Sequence, residues 1–281
     1  MSRNNKDFEI PESASISPEE AIEFILTLQD SYKRHEIEHR LDIENDFIPE
    51  NIIVMYTYFI SHSNYQMIVE NYKRQFIENE SNVEPGVTEE ERKGLGLIYD
   101  YISLYDFAKR MPNIFVEAIK IHNLLYSVCP FPEYGGKFRD STATLAKLSY
   151  EVPDPEEAKR RFQEYLSKNL VIDPRNILDY VDEIIRIHVD LIKIQPFNDG
   201  NKRTFRALLN LLLGKIGIPP VYIQKEERET YKRVLNTAMQ TGDYTEIIRF
   251  YYYKICDAIV DFDLLEHSKK TEEKKSGFVI K

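Results

Sequence analysis

Residues 195–206 read Gln195-Pro196-Phe197-Asn198-Asp199-Gly200-Asn201-Lys202-Arg203-Thr204-Phe205-Arg206, and this stretch decides the fold. It is a short polar loop between two runs with apolar residues at helical spacing, NILDYVDEIIRIHVDLIKI before it and KRTFRALLNLLLGKIG after it. A glycine-containing loop feeding a helix presents the unpaired N–H groups of the first turn at the positive end of the helix dipole, a setting that suits a phosphate. Lys202, Arg203 and Arg206 add fixed positive charge, and Asp199 supplies the hard carboxylate oxygen that a phosphate-bound Mg²⁺ prefers. Each feature alone also fits an ordinary helix–helix connection with a charged start. The combination selects a nucleotide site.

The string resembles the signature of the Fic family, HPFxDGN(G/K)RxxR, on the Fic/Doc fold. It matches every fixed position except the first, where the family has His and this chain has Gln195. The resemblance implies a mainly α fold class: a helical bundle with a β-hairpin flap, preceded by an N-terminal helical extension. It implies ATP and Mg²⁺ as ligands, and transfer of AMP from ATP to a Ser, Thr or Tyr hydroxyl of a protein target. Asp199 would then hold Mg²⁺, the N–H groups from Gly200, Asn201, Lys202 and Arg203 would bind the α- and β-phosphates, Arg203 and Arg206 would clamp the β- and γ-phosphates, and Phe197 would anchor the loop.

The departure at Gln195 bears on catalysis. In the family the His is the general base on the target hydroxyl; a carboxamide forms hydrogen bonds but takes no proton near neutral pH. General-base catalysis is worth roughly 10² to 10⁴-fold, so transfer is expected to be impaired or silent in this chain. Two other functions stand beside it. One is a noncatalytic module that senses nucleotide and binds a protein partner. The other is a Doc-like protein phosphotransferase, because Lys202 stands where the Doc branch also has Lys.

Further landmarks flank the signature. GGKFRDSTATL, residues 135–145, resembles the Gly-x-(Tyr/Phe)-Arg segment leading into the family's flap, and the Pro- and Gly-rich stretch 129–155 reads as a β-hairpin. Thr144, Leu145, Ala146 and Lys147 would then line the edge on which a protein target pairs by its main chain. TYKRVLNTAMQ resembles the stretch beside the adenosine, with Tyr231 as the expected contact and Lys232 and Met239 departing from the pattern. QMIVEN, residues 66–71, resembles the inhibitory (S/T)xxxE(G/N) helix, expected at about 62–74, with Glu70 as the glutamate that pairs with Arg206 and Gln66 departing from Ser/Thr.

Composition sets wider bounds. A formal charge of −10 over 281 residues lacks the basic face that nonspecific nucleic-acid binding needs. Cys129 and Cys256 have no metal-ligand spacing and read as two free buried thiols in a reducing compartment. The polar start MSRNNKDFEIPES gives no signal peptide and no apolar run approaches the ~20 residues of a membrane span, which points to the cytoplasm. Thr88-Glu89-Glu90-Glu91 forms a capping box, Asp154-Pro155-Glu156-Glu157 opens another helix, and Gly217 with Pro219-Pro220 closes the helix after the signature. The domains expected are 1–87, an N-terminal helical extension offering a homodimer surface; 88–263, the Fic domain; and 264–281, a charged, disordered tail. His188, seven residues before Gln195, reads as a core histidine; His35 and His39 read as a solvated pair, and His122 as part of no constellation.

Overall fold

The two apolar runs around the signature become the central pair of helices in a computed structural model that describes residues 69–143, 150–172 and 177–276. All of these belong to the larger of two compact units, Ile43–Lys281. Eight α-helices lie among the described residues: α1 Glu70–Val83, α2 Glu89–Ser103, α3 Ile114–Tyr126, α4 Pro155–Gln163, α5 Ile177–Ile194, α6 Asn201–Gly214, α7 Arg228–Thr241 and α8 Thr245–Ser276. α5 packs along α6; α2 and α3 close on α6, α7 and α8 on α5, and α1 lies against α2 and α8.

Helix α6, which begins inside the signature, is buried on every face. Phe205, Leu208, Leu209, Leu211, Leu212 and Leu213 fill the core around it. Buried Asn210 is paired in both directions: it donates from Nδ2 to the Val221 carbonyl at 2.9 Å and accepts from the Val221 N–H at 2.8 Å. The close approach of α2 to α3 depends on Gly94, where a Cβ would stand 2.3 Å from the Leu125 carbonyl oxygen.

Local capping signals behave as their chemistry requires. Thr88 caps α2 with a reciprocal box, its Oγ1 accepting from the Glu91 N–H and its own N–H donating to the Glu91 carboxylate. Asp154 caps α4 by accepting from the Glu157 N–H, with Pro155 at the first helical position. Cys129 and Cys256 are both free and buried. No helix among the described residues is long and apolar enough to cross a membrane.

Two expectations change. The stretch 129–155 forms no strand among its described residues; it contains a 3₁₀ turn at Pro132–Tyr134 and a single antiparallel bridge from Phe138 to Phe197. Prolines remove ladder donors there, and Phe138 pairs with the signature loop. The flap residues Thr144, Leu145, Ala146 and Lys147 lie outside the described residues, as do His35 and His39. Within the stretch expected as a tail, 264–281, α8 continues to Ser276. No Gly or Pro interrupts the chain between Thr245 and Gly277, so nothing in the sequence stops the helix earlier.

His188 is the buried core histidine expected. Its Nδ1–H donates to the Phe205 carbonyl at 3.0 Å, and its Nε2 accepts from the Tyr251 hydroxyl at 3.0 Å. Burial, with the Arg206 charge adding to it, pushes its pKa down to about 3. The unfolded chain takes up a proton here below about 6.5 while the folded chain does not. Stability is therefore fully present above that value and falls by about 1.4 kcal/mol per pH unit from this group as pH drops toward the folded value. Urea midpoints are expected to fall between pH 7 and pH 5; a flat profile would mean that the imidazole titrates alike in both states.

Candidate active site

The signature loop is held open by side chains that replace backbone. Asn201 accepts from the Phe197 N–H at 3.0 Å and donates to the Phe197 carbonyl at 2.8 Å, closing the loop on itself. Phe197 is fully buried, stacked on His122 at 4.0 Å and on Phe138 at 6.1 Å. Gly200 sits at φ +72°, where a Cβ would press on Leu125 and Tyr126 at 3.0 Å, so only glycine makes this turn without strain. It offers no side-chain cap to α6, whose first-turn N–H groups therefore open on the loop at the positive end of the helix.

Asp199 extends from this loop with its side chain 77% exposed. Tyr126 donates to its Oδ2 at 3.1 Å, and Arg203 Nη2 lies 3.3 Å from the same oxygen. The carboxylate is anchored by one oxygen and open to the cleft. That cleft, about 640 Å³, is bounded by residues 198–203, Gln195, the turn Glu84–Thr88 and the segment Arg139–Ala143. An exposed carboxylate beside an uncapped helix start fits a hydrated Mg²⁺ carried by a polyphosphate.

Every cation of the signature is matched by a carboxylate. Arg203 Nη1 donates to Glu91 at 2.5 Å, and both side chains are buried. Lys202 Nζ lies 3.5 Å from Glu84 Oε2. Arg206 donates from Nε to Glu80 Oε2 at 2.7 Å, with both side chains only 3% exposed, and its Nη1 is 3.5 Å from Glu84 Oε1. Burial alone would lower the Arg206 pKa; the charge and hydrogen bond of Glu80, with Tyr231 and Glu84 adding to them, together more than offset it and hold the guanidinium ionised. Its Nη1 and Nη2 are buried without a hydrogen-bond partner, and Arg206 does not border the cleft.

The expected pairing of Glu70 with Arg206 is corrected by this geometry: Glu70 is exposed at the start of α1, and the carboxylate on Arg206 belongs to Glu80. Tyr72, Phe76 and Glu80 recur every four residues on the buried face of α1, whereas Glu70 lies off that face. A carboxylate on an apolar stripe was the legible signal for Glu80. Tyr231 is corrected as well. It is fully buried, 5.8 Å from the Arg206 guanidinium and packed on Phe250, so it supports the arginine from behind and presents no surface to an adenosine.

Gln195 ends α5 in the left-handed region at φ +49°, the only non-glycine residue with positive φ among those described. Its Nε2 donates back to the Ile192 carbonyl at 2.7 Å, so its amide serves as a helix cap. Its own carbonyl accepts from Arg139 Nε at 2.6 Å. Arg139 also donates to the carbonyls of Ser141, at 2.8 Å, and Pro153. One buried guanidinium thus joins the end of α5 to both stems of the segment that would carry the flap. His122 was overlooked in the sequence: its Nδ1 accepts from the Gly136 N–H at 2.8 Å and its Nε2–H donates to the Asp199 carbonyl at 2.9 Å. Burial holds it neutral, its pKa lowered to about 4.

The helical bundle thus presents an Asn-closed, glycine-turned loop at the start of its central helix, where unpaired N–H groups can receive an anion. Residues 114–213 match the Fic/DOC family, and the chain carries a Fic/DOC family domain. Among similar proteins, a protein adenylyltransferase Fic of Nematostella vectensis is 34% identical over 119 residues, covering 42% of this chain and 27% of the relative. Another of that name from Drosophila grimshawi is 30% identical over 161 residues, covering 56% of this chain and 31% of the relative. The chain therefore matches less than a third of the length of either. The solved structure of Fic-1, residues 134–508, from C. elegans superposes with a TM-score of 0.62 at 18% identity, covering 92% of this chain and 90% of that one, which supports the helical fold.

Proposed function

We propose that the chain binds ATP with Mg²⁺ at the signature loop and is built as a protein adenylyltransferase whose transfer step is disabled at Gln195. The observation that carries the reading is the uncapped start of α6 beside the exposed carboxylate of Asp199. The α6 N–H groups and Arg203 would hold phosphate oxygens and Asp199 the metal, which would supply charge neutralisation on the polyphosphate. The similarity to curated adenylyltransferases supports AMP as the group transferred. Gln195 caps its own helix and has no proton-accepting nitrogen, so it can orient a hydroxyl and not deprotonate it.

The same geometry supports a restrained resting state. Glu80 takes the Arg206 Nε–H, and Glu84 lies at ion-pair distance from both Arg206 Nη1 and Lys202, so a triphosphate approaching these cations competes with carboxylates already on them. ATP affinity is the direct test. Calorimetric titration with Mg²⁺-ATP is expected to show binding about tenfold or more tighter for Glu80→Gln than for the parent, since one charge-assisted hydrogen bond is worth about 1.5–3 kcal/mol. Equal absence of binding in both would remove the nucleotide reading. A protein target held through the flap, and the cytoplasm as its place, belong to the same proposal; the tests here address the nucleotide site.

A further inference from the structure

We infer that His122 is a positioning residue, one that sets the main chain of the metal-holding loop from the segment that leads into the flap. The inference rests on the nucleotide reading of the signature loop.

The imidazole is the single side chain joining Gly136 to Asp199. The Gly136 N–H donates to Nδ1, which leaves Nε2 as the protonated nitrogen, and Nε2–H donates to the Asp199 carbonyl. The plane of the ring is set by Phe197, on which it lies 4.0 Å away and tilted by 17°, and Phe197 is fully buried. Gly136 is required at its position. It holds φ +66°, and a Cβ there would stand 2.7 Å from the Asn123 side chain.

One backbone contact runs parallel to this relay. Phe138 forms an antiparallel bridge with Phe197, in which the Arg139 N–H donates to the Pro196 carbonyl at 2.9 Å. Residues 136–139 and 196–199 are thereby fastened together, and among the described residues His122 is the one side chain that bonds the Asp199 main chain to this segment. The Asp199 side chain is anchored through Oδ2 alone, so the direction of its open oxygen follows the backbone that His122 holds. A ring that merely filled space would need neither directed bond; an aromatic hydrocarbon would serve.

The two bonds can be cut separately. Asparagine places its carbonyl oxygen near Nδ1 and keeps an acceptor for Gly136, whereas glutamine reaches toward Nε2 and keeps a donor for Asp199. Both variants are made in the full chain carrying Glu80→Gln, and ATP affinity is titrated with Mg²⁺ and again in excess chelator. His122→Asn is expected to lose about 10- to 100-fold of the Mg²⁺-dependent gain in affinity, the usual effect of removing a group that orients a metal-holding residue. His122→Gln should keep most of it, and Mg²⁺-free affinity should change little in either. Without nucleotide, the Gly136 amide should exchange slowly in His122→Asn and fast in His122→Gln.

Retention of the Mg²⁺ gain by both variants overturns the inference. So does an equal fall in both, with and without Mg²⁺, in step with their thermal midpoints, for that marks a purely structural ring. Failure of the Glu80→Gln parent to bind ATP under either condition is a different result: it removes the nucleotide reading, and this inference with it.

Discussion

Intact mass after incubation with Mg²⁺ and ATP is expected to rise by one AMP unit in a chain carrying both Gln195→His and Glu80→Gln, and to stay unchanged in the parent. The first substitution restores an imidazole that can take the proton of an attacking hydroxyl, a contribution of roughly 10² to 10⁴-fold. It should not disturb the loop, because His adopts positive φ more readily than most side chains and position 195 sits at +49°. The second frees Arg206 while keeping a side chain that can still accept its Nε–H. Neither should suffice alone: Gln195→His leaves Arg206 engaged, and Glu80→Gln binds nucleotide without a base. Glu70→Gly on the Gln195→His background should add nothing, since Glu70 is exposed and remote from Arg206. A phosphate-sized gain would assign the Doc-like reaction instead. Nucleotide binding with no adduct in any variant would favour the noncatalytic sensing module.

Glu80→Ala is expected to cost about 3–5 kcal/mol of folding stability in the absence of nucleotide, the usual effect of stripping one partner from a buried ion pair. Both side chains of the pair are 3% exposed, so neither water nor bulk ions can substitute for the lost carboxylate. Glu84, at 3.5 Å from Arg206 Nη1, offers partial compensation and sets the loss toward the lower end. Glu80→Gln should lose less, because its amide oxygen can still accept from Nε. Thermal midpoints with and without Mg²⁺-ATP separate the contributions. A polyphosphate that satisfies the orphaned Nη groups should restore much of the stability in Glu80→Ala and little in the parent. An Ala variant as stable as the parent would show that the pair is dispensable to the fold.

Both predictions turn on a residue that the sequence did not single out. Glu80 lies 126 positions from Arg206, and its meaning comes from the docking of α1 against α2 and α8, which no local pattern states. The stripe Tyr72, Phe76, Glu80 on α1 was readable as an apolar face carrying one carboxylate, but a partner for that carboxylate was not. The QMIVEN string drew attention to Glu70 because it matched a short pattern; burial chose otherwise. Tyr231 shows the same limit, since helical spacing cannot say whether an aromatic ring faces a ligand or the back of an arginine. Of the helix expected at about 62–74, the described part begins at Glu70, and the helix continues to Val83.

What the sequence determined by itself was local chemistry. Thr88 with Glu91 and Asp154 with Pro155 specified helix starts, and Asn198 to Arg206 specified a turn, a carboxylate and a charged helix entrance. These depend on side chains reaching backbone within a few residues, so neighbours in the chain suffice. Only the tertiary structure decided which carboxylates sit on Lys202, Arg203 and Arg206, that Arg139 joins Gln195 to Ser141 and Pro153, and that His122 bridges Gly136 to Asp199. Those contacts are made by groups distant in sequence, and their strength comes from exclusion of water, which exists only once the helices have packed.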